Sequence, residues 1–551
     1  MTDNQRDGGE SQEQDEFKFQ PIKPQRLDQL PPCGANCPSG TNIRDWIAVI
    51  AQRPAGEDEH AAYTRAWNML VDHNPFPATM GRICPHPCEA DCNRSDKDGA
   101  VAINSLERFI GDWAIAQNLP LPLLSREAQP ESIGVIGAGP AGLSFAYQMS
   151  RRGYPVTVYD SHPQAGGMLR YGIPDYRLPG AVLDAELERI LDLGVNLVTN
   201  VKAGTDIGLK DLQTRHKVLF LGLGAQLGRH LGLEGDDSDH IWSGTEFLAQ
   251  HNLGERPTLG EHVIVVGGGN TAIDAARVAR RYGADVSIVY RRERQDMTAI
   301  DEEVCAAIEE GVHLHYCAGP AAIIRDEAGV MTGLRIQRMR PGALDESGRA
   351  KPEPLPGETF TLLASSLITA ISQQAQWRGL EPLAPTGPWM EFGQGGASDV
   401  VGGGDVTGLD LASHAIGQGK LAAERVHASL RGFIETAAPV QASQPAAKSD
   451  YYEASQRVAV SLEPVEHRMA CPDEEISHTI SEQEFLHEIG RCFSCGLCNG
   501  CQLCWMYCGG HGFTRLDSPS PGHYFAFAAD ACEGCGKCIE LCPTGYLKGP
   551  G

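Results

Sequence analysis

Three times along the chain a short, almost unbroken apolar run ends in glycines and gives way to a longer stretch of helical periodicity. Residues 133–160 read IGVIGAGPAGLSFAYQMSRRGYPVTVYD, an apolar run to Gly137, a helix, and a second strand ending at Asp160. Residues 263–292, VIVVGGGNTAIDAARVARRYGADVSIVYRR, repeat the pattern 130 positions later. The third piece, VVGGGDVTG from Val400 to Gly408, precedes the amphipathic LASHAIGQGKLAAERV. Continuous apolar runs suit strands buried on both faces, and alternation with helices predicts βαβ units and parallel sheets. Before these units, NIRDWIAVIAQ and AAYTRAWNMLVD read as helices. Between Arg431 and about Glu484 the chain turns rich in Ala, Pro, Ser and Gln (ETAAPVQASQPAAKSD), which predicts a linker.

The glycines give the first two units a chemistry. Gly137, Gly139 and Gly142 form G-x-G-x-x-G between strand and helix. Such a turn brings backbone against a pyrophosphate at a helix N-terminus. Asp160, 23 positions after Gly137, stands where it can accept both hydroxyls of an adenosine ribose. In the second unit Gly267, Gly269 and Ala272 hold the fingerprint, around Asn270 and Thr271, and Tyr290 replaces the acid, followed by Arg291 and Arg292. An acid there would repel a 2′-phosphate. A tyrosine and two arginines would stack on adenine and grip that phosphate, which points to NADP(H) rather than NAD(H). The third segment resembles the second flavin-contacting segment of two-dinucleotide-binding flavoproteins, in which Asp405, after Gly404, would bond the ribityl chain. The order along the chain is then FAD half, NADP domain, FAD half.

At 551 residues the chain needs several cores. Its net charge of −25 disfavours nucleic acid and anionic membranes. The polar, acidic start MTDNQRDGGESQEQDEF has no signal-peptide character, and no apolar run is long enough for a membrane helix, so the expected location is the cytoplasm.

Of 18 cysteines, five lie between Cys33 and Cys92 and eleven between Cys471 and Cys542. In a cytosolic chain such clusters read as metal ligands. CEGCGKCIELCP carries Cys532, Cys535, Cys538 and Cys542 in the bacterial ferredoxin spacing, whose fourth cysteine serves the other cluster of a pair. The same spacing selects Cys498, Cys501, Cys504 and Cys508 in CFSCGLCNGCQLCWMYC. One [4Fe–4S] cluster therefore takes Cys498, Cys501, Cys504 and Cys542, and the other Cys532, Cys535, Cys538 and Cys508. Cys492 and Cys495 are left over. They could shift register and compete for the cluster, bind a metal with Cys471, or be packed thiols, the reading favoured here. Phe493, Trp505, Tyr507, Tyr524, Phe525 and Phe527 are expected to form the module's core. Cys305 and Cys317, alone in the middle, read as structural.

The motifs GRICPHPCEADC (Gly81–Cys92), GGMLRYGIPDYRLP (Gly166–Pro179), GGGNTAIDAAR (Gly267–Arg277) and GGGDVTG (Gly402–Gly408) together resemble the small (β) subunit of bacterial glutamate synthase and its relatives. These include the large subunit of NADH-dependent ferredoxin:NADP oxidoreductase and the N-terminal half of dihydropyrimidine dehydrogenase. The resemblance covers roughly residues 30–435. It implies FAD contacts at Gly137, Gly139, Pro140, Ala141, Gly142, Asp160, Gly167, Leu169, Gly404 and Asp405. It excludes a disulfide reductase, since no cysteine lies between Cys92 and Cys305. The family carries two N-terminal clusters, whereas this chain lacks the first two cysteines of the first motif. What the resemblance implies is one N-terminal cluster on Cys37, Cys84, Cys88 and Glu107, with Cys33 and Cys92 left as a pair. An arrangement on four of the five cysteines, with Glu107 a solvated helix residue, and a zinc site are the alternatives.

The expected architecture is multidomain: an α-helical Fe–S domain, two Rossmann-like α/β domains for FAD and NADP, and a C-terminal α+β bacterial-ferredoxin-like domain. The expected boundaries are a disordered tail at 1–25, the helical Fe–S domain at 26–125, the first FAD-binding segment at 126–255, the NAD(P) domain at 256–375, the second FAD-binding segment at 376–435, the linker at 436–483 and the ferredoxin-like domain at 484–551. Together these domains make an electron path from NADPH to FAD to [4Fe–4S] clusters to ferredoxin or a partner oxidoreductase subunit, within a hetero-oligomer. An authentic glutamate synthase small subunit, a flavin-bifurcating NADP:ferredoxin oxidoreductase and a non-catalytic relay are the alternatives.

Overall fold

The computed structural model describes residues 22–26, 30–387, 389–391, 399–433 and 447–549. The first two glycine-terminated apolar runs become the central strands of two sheets, and the third becomes an edge strand of the first sheet. The first sheet is parallel, in the order Val400–Gly402, Val218–Leu221, Ile133–Ile136, Val156–Tyr159, Asn196–Val198. The third segment thus returns across 130–400 to finish the sheet that the first began. The helix Pro140–Ser150 packs on the helix Ala412–Arg431, where Phe145 stacks on Phe220 below. The second sheet is also parallel, in the order His313–His315, Asp285–Val289, His262–Val266, Ser366–Thr369, Ile241–Ser243. Strand Ile241–Ser243 and helix Gly244–Asn252 belong to this second domain, which therefore begins before the expected boundary at 255. An antiparallel sheet, Ala318–Arg325, Met331–Leu344 and Ala350–Leu363, is appended to it. Two short strands, Leu227–Gly228 and Gln373–Gln374, pair where the chain crosses between the domains.

The N-terminal region is helical: Ile43–Ala51, Glu59–Val71, Pro77–Ile83 and Ile103–Ala116. The last two cross at glycine. A Cβ on Gly81 would lie 2.4 Å from the Arg108 backbone, and one on Gly111 would lie 2.3 Å from Ala78 N.

Two expectations change here. The helix Glu482–Arg491, held by a capping box from Ser481 and Glu484, packs with the N-terminal helices and not with the C-terminal cysteine module expected to be ferredoxin-like. Its Phe485 and Ile489 are buried in the N-terminal core, and Phe485 stacks on Phe109 at 4.1 Å. From residue 447 onward, the stretch expected as a linker is a docked strap. Arg457 reaches Ala100 O, Arg108 donates to Ser477 Oγ at 2.6 Å, Ile476 N bonds Tyr176 O, and Arg468 pairs with Glu309 at 3.0 Å. Composition hid this, because docking here comes from long-range hydrogen bonds, an ion pair and single buried side chains such as Ile476 and Ile480, not from apolar periodicity. The rest of the expected linker, 436–446, lies outside the described residues, as does 1–21 of the expected tail. Residues 22–26 are docked on the C-terminal cysteine module: Ile22 N bonds Gly534 O, and Gln25–Arg26 pair with Leu547–Lys548. Among the described residues, no helix is long and apolar enough to cross a membrane.

Candidate functional site

A single cavity of about 1100 Å³ runs between the two parallel sheets and is lined by both glycine turns. On one side lie Gly137, Gly139, Pro140, Ala141, Asp160, Gly167, Leu169, Gly404 and Asp405; on the other lie Gly267, Gly269, Asn270, Thr271, Arg291 and Arg292. Gly142 and Ala272 sit beneath the turns. A Cβ on Gly142 would meet Gly137 O at 2.0 Å, so only glycine lets the helix approach its own turn. Each turn caps a helix, Gly139 at Pro140–Ser150 and Gly269 at Asn270–Arg281, so unpaired N–H groups face the cavity. Asp160 is held by Ala138 N at 2.6 Å and His162 N at 2.8 Å, which fixes its carboxylate at the strand end. Burial raises the Asp405 carboxyl to about 6. These features fit a dinucleotide in each half.

At the second turn the arginines divide their work. Arg292 donates to Asp345 Oδ2 at 2.5 Å and to Ala350 O at 2.9 Å, tying the strand end to the β-hairpin tip. Arg291 is exposed on the cavity wall. Tyr290, expected to stack on adenine, is only 8% exposed; its ring lies under Gly268 and its hydroxyl donates to Asp296 O at 2.6 Å. It shapes the turn. Arg349, from the hairpin tip, also lines the cavity and carried no signal in the sequence.

The thiols converge in four sets. Cys37, Cys84, Cys88 and Glu107 line one small cavity with Met80, Asn74 and Ser413. Glu107 is half-buried, its residual surface being this cavity's wall, which departs from the solvated alternative. Asn74 Nδ2 donates to it at 2.8 Å, and burial raises its carboxyl to about 7. Cys498, Cys501, Cys504 and Cys542 line a second cavity with Tyr524, Phe525, Phe527 and Tyr546. Cys508, Cys532 and Cys535 surround Cys538, whose thiol is raised to about 11 by burial and then by these neighbours. Gly512 N donates to Cys508 Sγ at 3.2 Å. The two halves of this C-terminal cysteine module repeat one backbone device: Gln502 (φ 68°) and Gly536 (φ 72°) are left-handed residues before the short helices Leu503–Met506 and Lys537–Leu541. The fourth set is Cys33, Cys92, Cys492 and Cys495 around one cavity. Spacing alone leaves the first two as a pair and the last two as packed thiols, because it cannot register partners from opposite ends of the chain.

Several smaller expectations also shift. Trp505 and Tyr507 are 39% and 58% exposed and do not form a core. Phe493 is buried instead against Tyr452, at 4.2 Å. Cys305 is exposed on the helix Asp301–Glu309. Cys471 lies with His467 and Glu474, away from Cys492.

Two dinucleotide cradles opening on one cavity, with sets of thiols leading away from it, define a two-dinucleotide-binding iron–sulfur flavoprotein. Residues 131–338 match the pyridine nucleotide-disulphide oxidoreductase family, 28–119 the 4Fe-4S domain II of dihydropyrimidine dehydrogenase, and 497–546 a 4Fe-4S dicluster domain. The chain belongs to the glutamate synthase small-chain family: it is 32% identical over 442 residues to the NADPH glutamate synthase small chain of Azospirillum brasilense, spanning 75% of this chain and 89% of that one. It is 36% identical over 348 residues to the NADPH-Fe(3+) oxidoreductase subunit beta of Geobacter sulfurreducens, covering 62% of this chain and 51% of the relative. It is 34% identical over 438 residues to the NADP(+)-dependent formate dehydrogenase subunit beta of Moorella thermoacetica, covering 73% and 60%. The chain thus spans only about half to three-fifths of the length of these last two. Its cofactors are FAD, NADP and [4Fe–4S] clusters.

Proposed function

We propose that the chain is an NADPH-dependent oxidoreductase that feeds electrons from a nucleotide through its iron–sulfur sites to ferredoxin or a partner oxidoreductase subunit. One observation carries this reading: Met80, Cys84 and Ser413 line both the dinucleotide cavity and the small cavity of Cys37, Cys84, Cys88 and Glu107. When bound, FAD accepts a hydride equivalent from NADPH and releases single electrons, the conversion that one-electron clusters require. The residues supply binding and order. Gly267, Gly269, Asn270, Thr271 and Arg291 hold the nicotinamide nucleotide, while Gly137, Gly139, Asp160, Gly404 and Asp405 hold the flavin nucleotide. Cys37, Cys84, Cys88 and Glu107 ligate the nearest cluster. Cys498, Cys501, Cys504 and Cys542 ligate one ferredoxin-type cluster, and Cys508, Cys532, Cys535 and Cys538 the other.

The exit lies at the module matched by residues 497–546, whose Cys535 is exposed. That exit favours an electron-input subunit over a glutamate synthase small chain as such. The names of the Geobacter and Moorella relatives, each a subunit beta, support a partner subunit as the acceptor. The test is an anaerobic titration of the reconstituted chain. NADPH should bleach the flavin and bring up cluster EPR signals, with NADH much weaker. Bleaching without cluster reduction would overturn the electron path.

A further inference from the structure

Cys33 lies on the short helix Pro32–Ala35, and Cys92 follows the helix Pro87–Ala90. Cys492 and Cys495 come 400 and more positions later, at the end of the helix Glu482–Arg491. All four face one cavity, and all are free thiols. Neither segment supplies enough ligands alone. We propose that Cys33, Cys92, Cys492 and Cys495 bind an additional [4Fe–4S] cluster at the seam between the N-terminal helical domain and the ferredoxin module, giving the chain four clusters.

The thiols are held as ligands are held. Asn93 Nδ2 donates to Cys495 Sγ at 3.3 Å, and Ser494 N donates to Cys492 Sγ at 3.4 Å. Donors of this kind to ligating sulfur tune and orient a cluster. Arg44 Nη1 grips Cys495 O at 3.2 Å from the N-terminal side. The loop that carries Cys492 and Cys495 is clamped: Phe493 stacks on Tyr452, Arg94 lies 5.0 Å over the Phe493 ring, and Arg94 also donates to Arg491 O. The rest of the wall is apolar, from Pro31, Pro32, Ile43 and Ile47.

Spacing selects the group. A tetrahedral zinc site, with Zn–S near 2.3 Å, brings its sulfurs within about 3.8 Å of one another. Among the described residues, the one group of three or more such ligand atoms all within 4.8 Å is His467, Cys471 and Glu474. The four thiols therefore stand wider than a single ion needs, as do the other three sets, and a cubane fills such a space.

Position gives the cluster a role. Its cavity shares Ile43 and Ile103 with that of Cys37, Cys84, Cys88 and Glu107. On the far side Cys498, the first thiol of the next set, is three positions past Cys495, and Tyr452 lies near Cys495, Cys492 and Cys501 together. The additional cluster sits between the flavin-side set and the C-terminal cysteine module, in contact with the walls of both.

The test compares anaerobically reconstituted full-length chain with the double variants Cys492→Ser/Cys495→Ser and Cys33→Ser/Cys92→Ser. Iron, zinc and acid-labile sulfide are counted, and dithionite-reduced EPR is recorded. Wild type should hold about sixteen irons, and each double variant about twelve, with the same EPR component missing from both. About twelve irons in wild type, unchanged in the variants, would overturn the proposal, as would about twelve irons with one zinc. If a double variant fails to fold, single Cys495→Ser serves: it should lose iron at one cluster only, whereas Cys471→Ser should lose none, and equal counts in the two would overturn the assignment. The proposal concerns ligation and does not require NADPH as donor. Flavin bleaching by NADPH in the same samples reports on the functional reading separately.

Discussion

The two arginines after the second nucleotide strand look equivalent in sequence and are not. Both line the cavity, but Arg292 is tied to Asp345 and the hairpin, whereas Arg291 is exposed there. Arg291→Ala should weaken NADPH binding by about ten- to a hundredfold, the worth of one or two charge-assisted hydrogen bonds. NADH binding should hardly change, and fluorescence titration with both nucleotides checks the ratio. Glu186 poses a different question. It is buried, accepts Ala78 N at 2.7 Å and Thr79 N at 3.0 Å, and burial raises its carboxyl to about 7. A proton held more tightly in the folded chain stabilises it fully below the unfolded carboxyl range, and that contribution is lost as pH rises through 7. The loss amounts to up to about 3 kcal/mol. The thermal midpoint should fall between pH 5 and 8, and more shallowly in Glu186→Gln. The positions of the fingerprint glycines, of Asp160 at its strand end and of the two C-terminal cysteine runs were legible because local spacing places them. The packing of Tyr290 under Gly268 and the arrival of Arg349 from a hairpin tip were not, since both depend on how distant strands end.

The segment YGIPDYRLP has a mechanical meaning at the scale of elements. Its Arg177 donates to both oxygens of Asp274, at 2.8 and 2.7 Å, across the boundary between the first nucleotide domain and the helix Asn270–Arg281. Tyr176 lies beneath Arg281, 3.9 Å from ring centre to guanidinium. Arg177 is 6% exposed and Asp274 2%. Removing one partner of a buried pair leaves the other uncompensated, so Arg177→Ala should cost about 3–5 kcal/mol. Calorimetry should show the nucleotide-domain transition lowered, and Asp274→Asn should be milder because the amide still accepts. The βαβ units were readable from periodicity, down to the strand that returns at Val400. The strap after residue 447 was not, because its Ala, Pro and Ser are what a free linker also uses.

Across the whole molecule, the iron–sulfur modules are not beads in sequence order. Helix Glu482–Arg491 completes the N-terminal core: Phe485 and Glu488 are fully buried, and Glu488 accepts Ala102 N and Val458 N. A chain stopped after residue 433 should therefore lose more than the ferredoxin module. It should expose the faces of Phe109 and Tyr63, become sensitive to limited proteolysis before residue 120, and precipitate where the full chain stays in solution. Sequence could rank the cysteines by spacing but could not see that the leftover thiols at 33, 92, 492 and 495 are neighbours, since proximity across 400 positions leaves no trace in any local window.

That seam also sets a timetable. A ribosome adds about 5–20 residues each second. Cys492 therefore emerges roughly 20–80 s after Cys92, the interval set by their 400-position separation. Throughout that interval the nascent helical domain lacks one of its core helices and half the thiols at its seam. The core of that domain therefore closes only after the helix Glu482–Arg491 has been made.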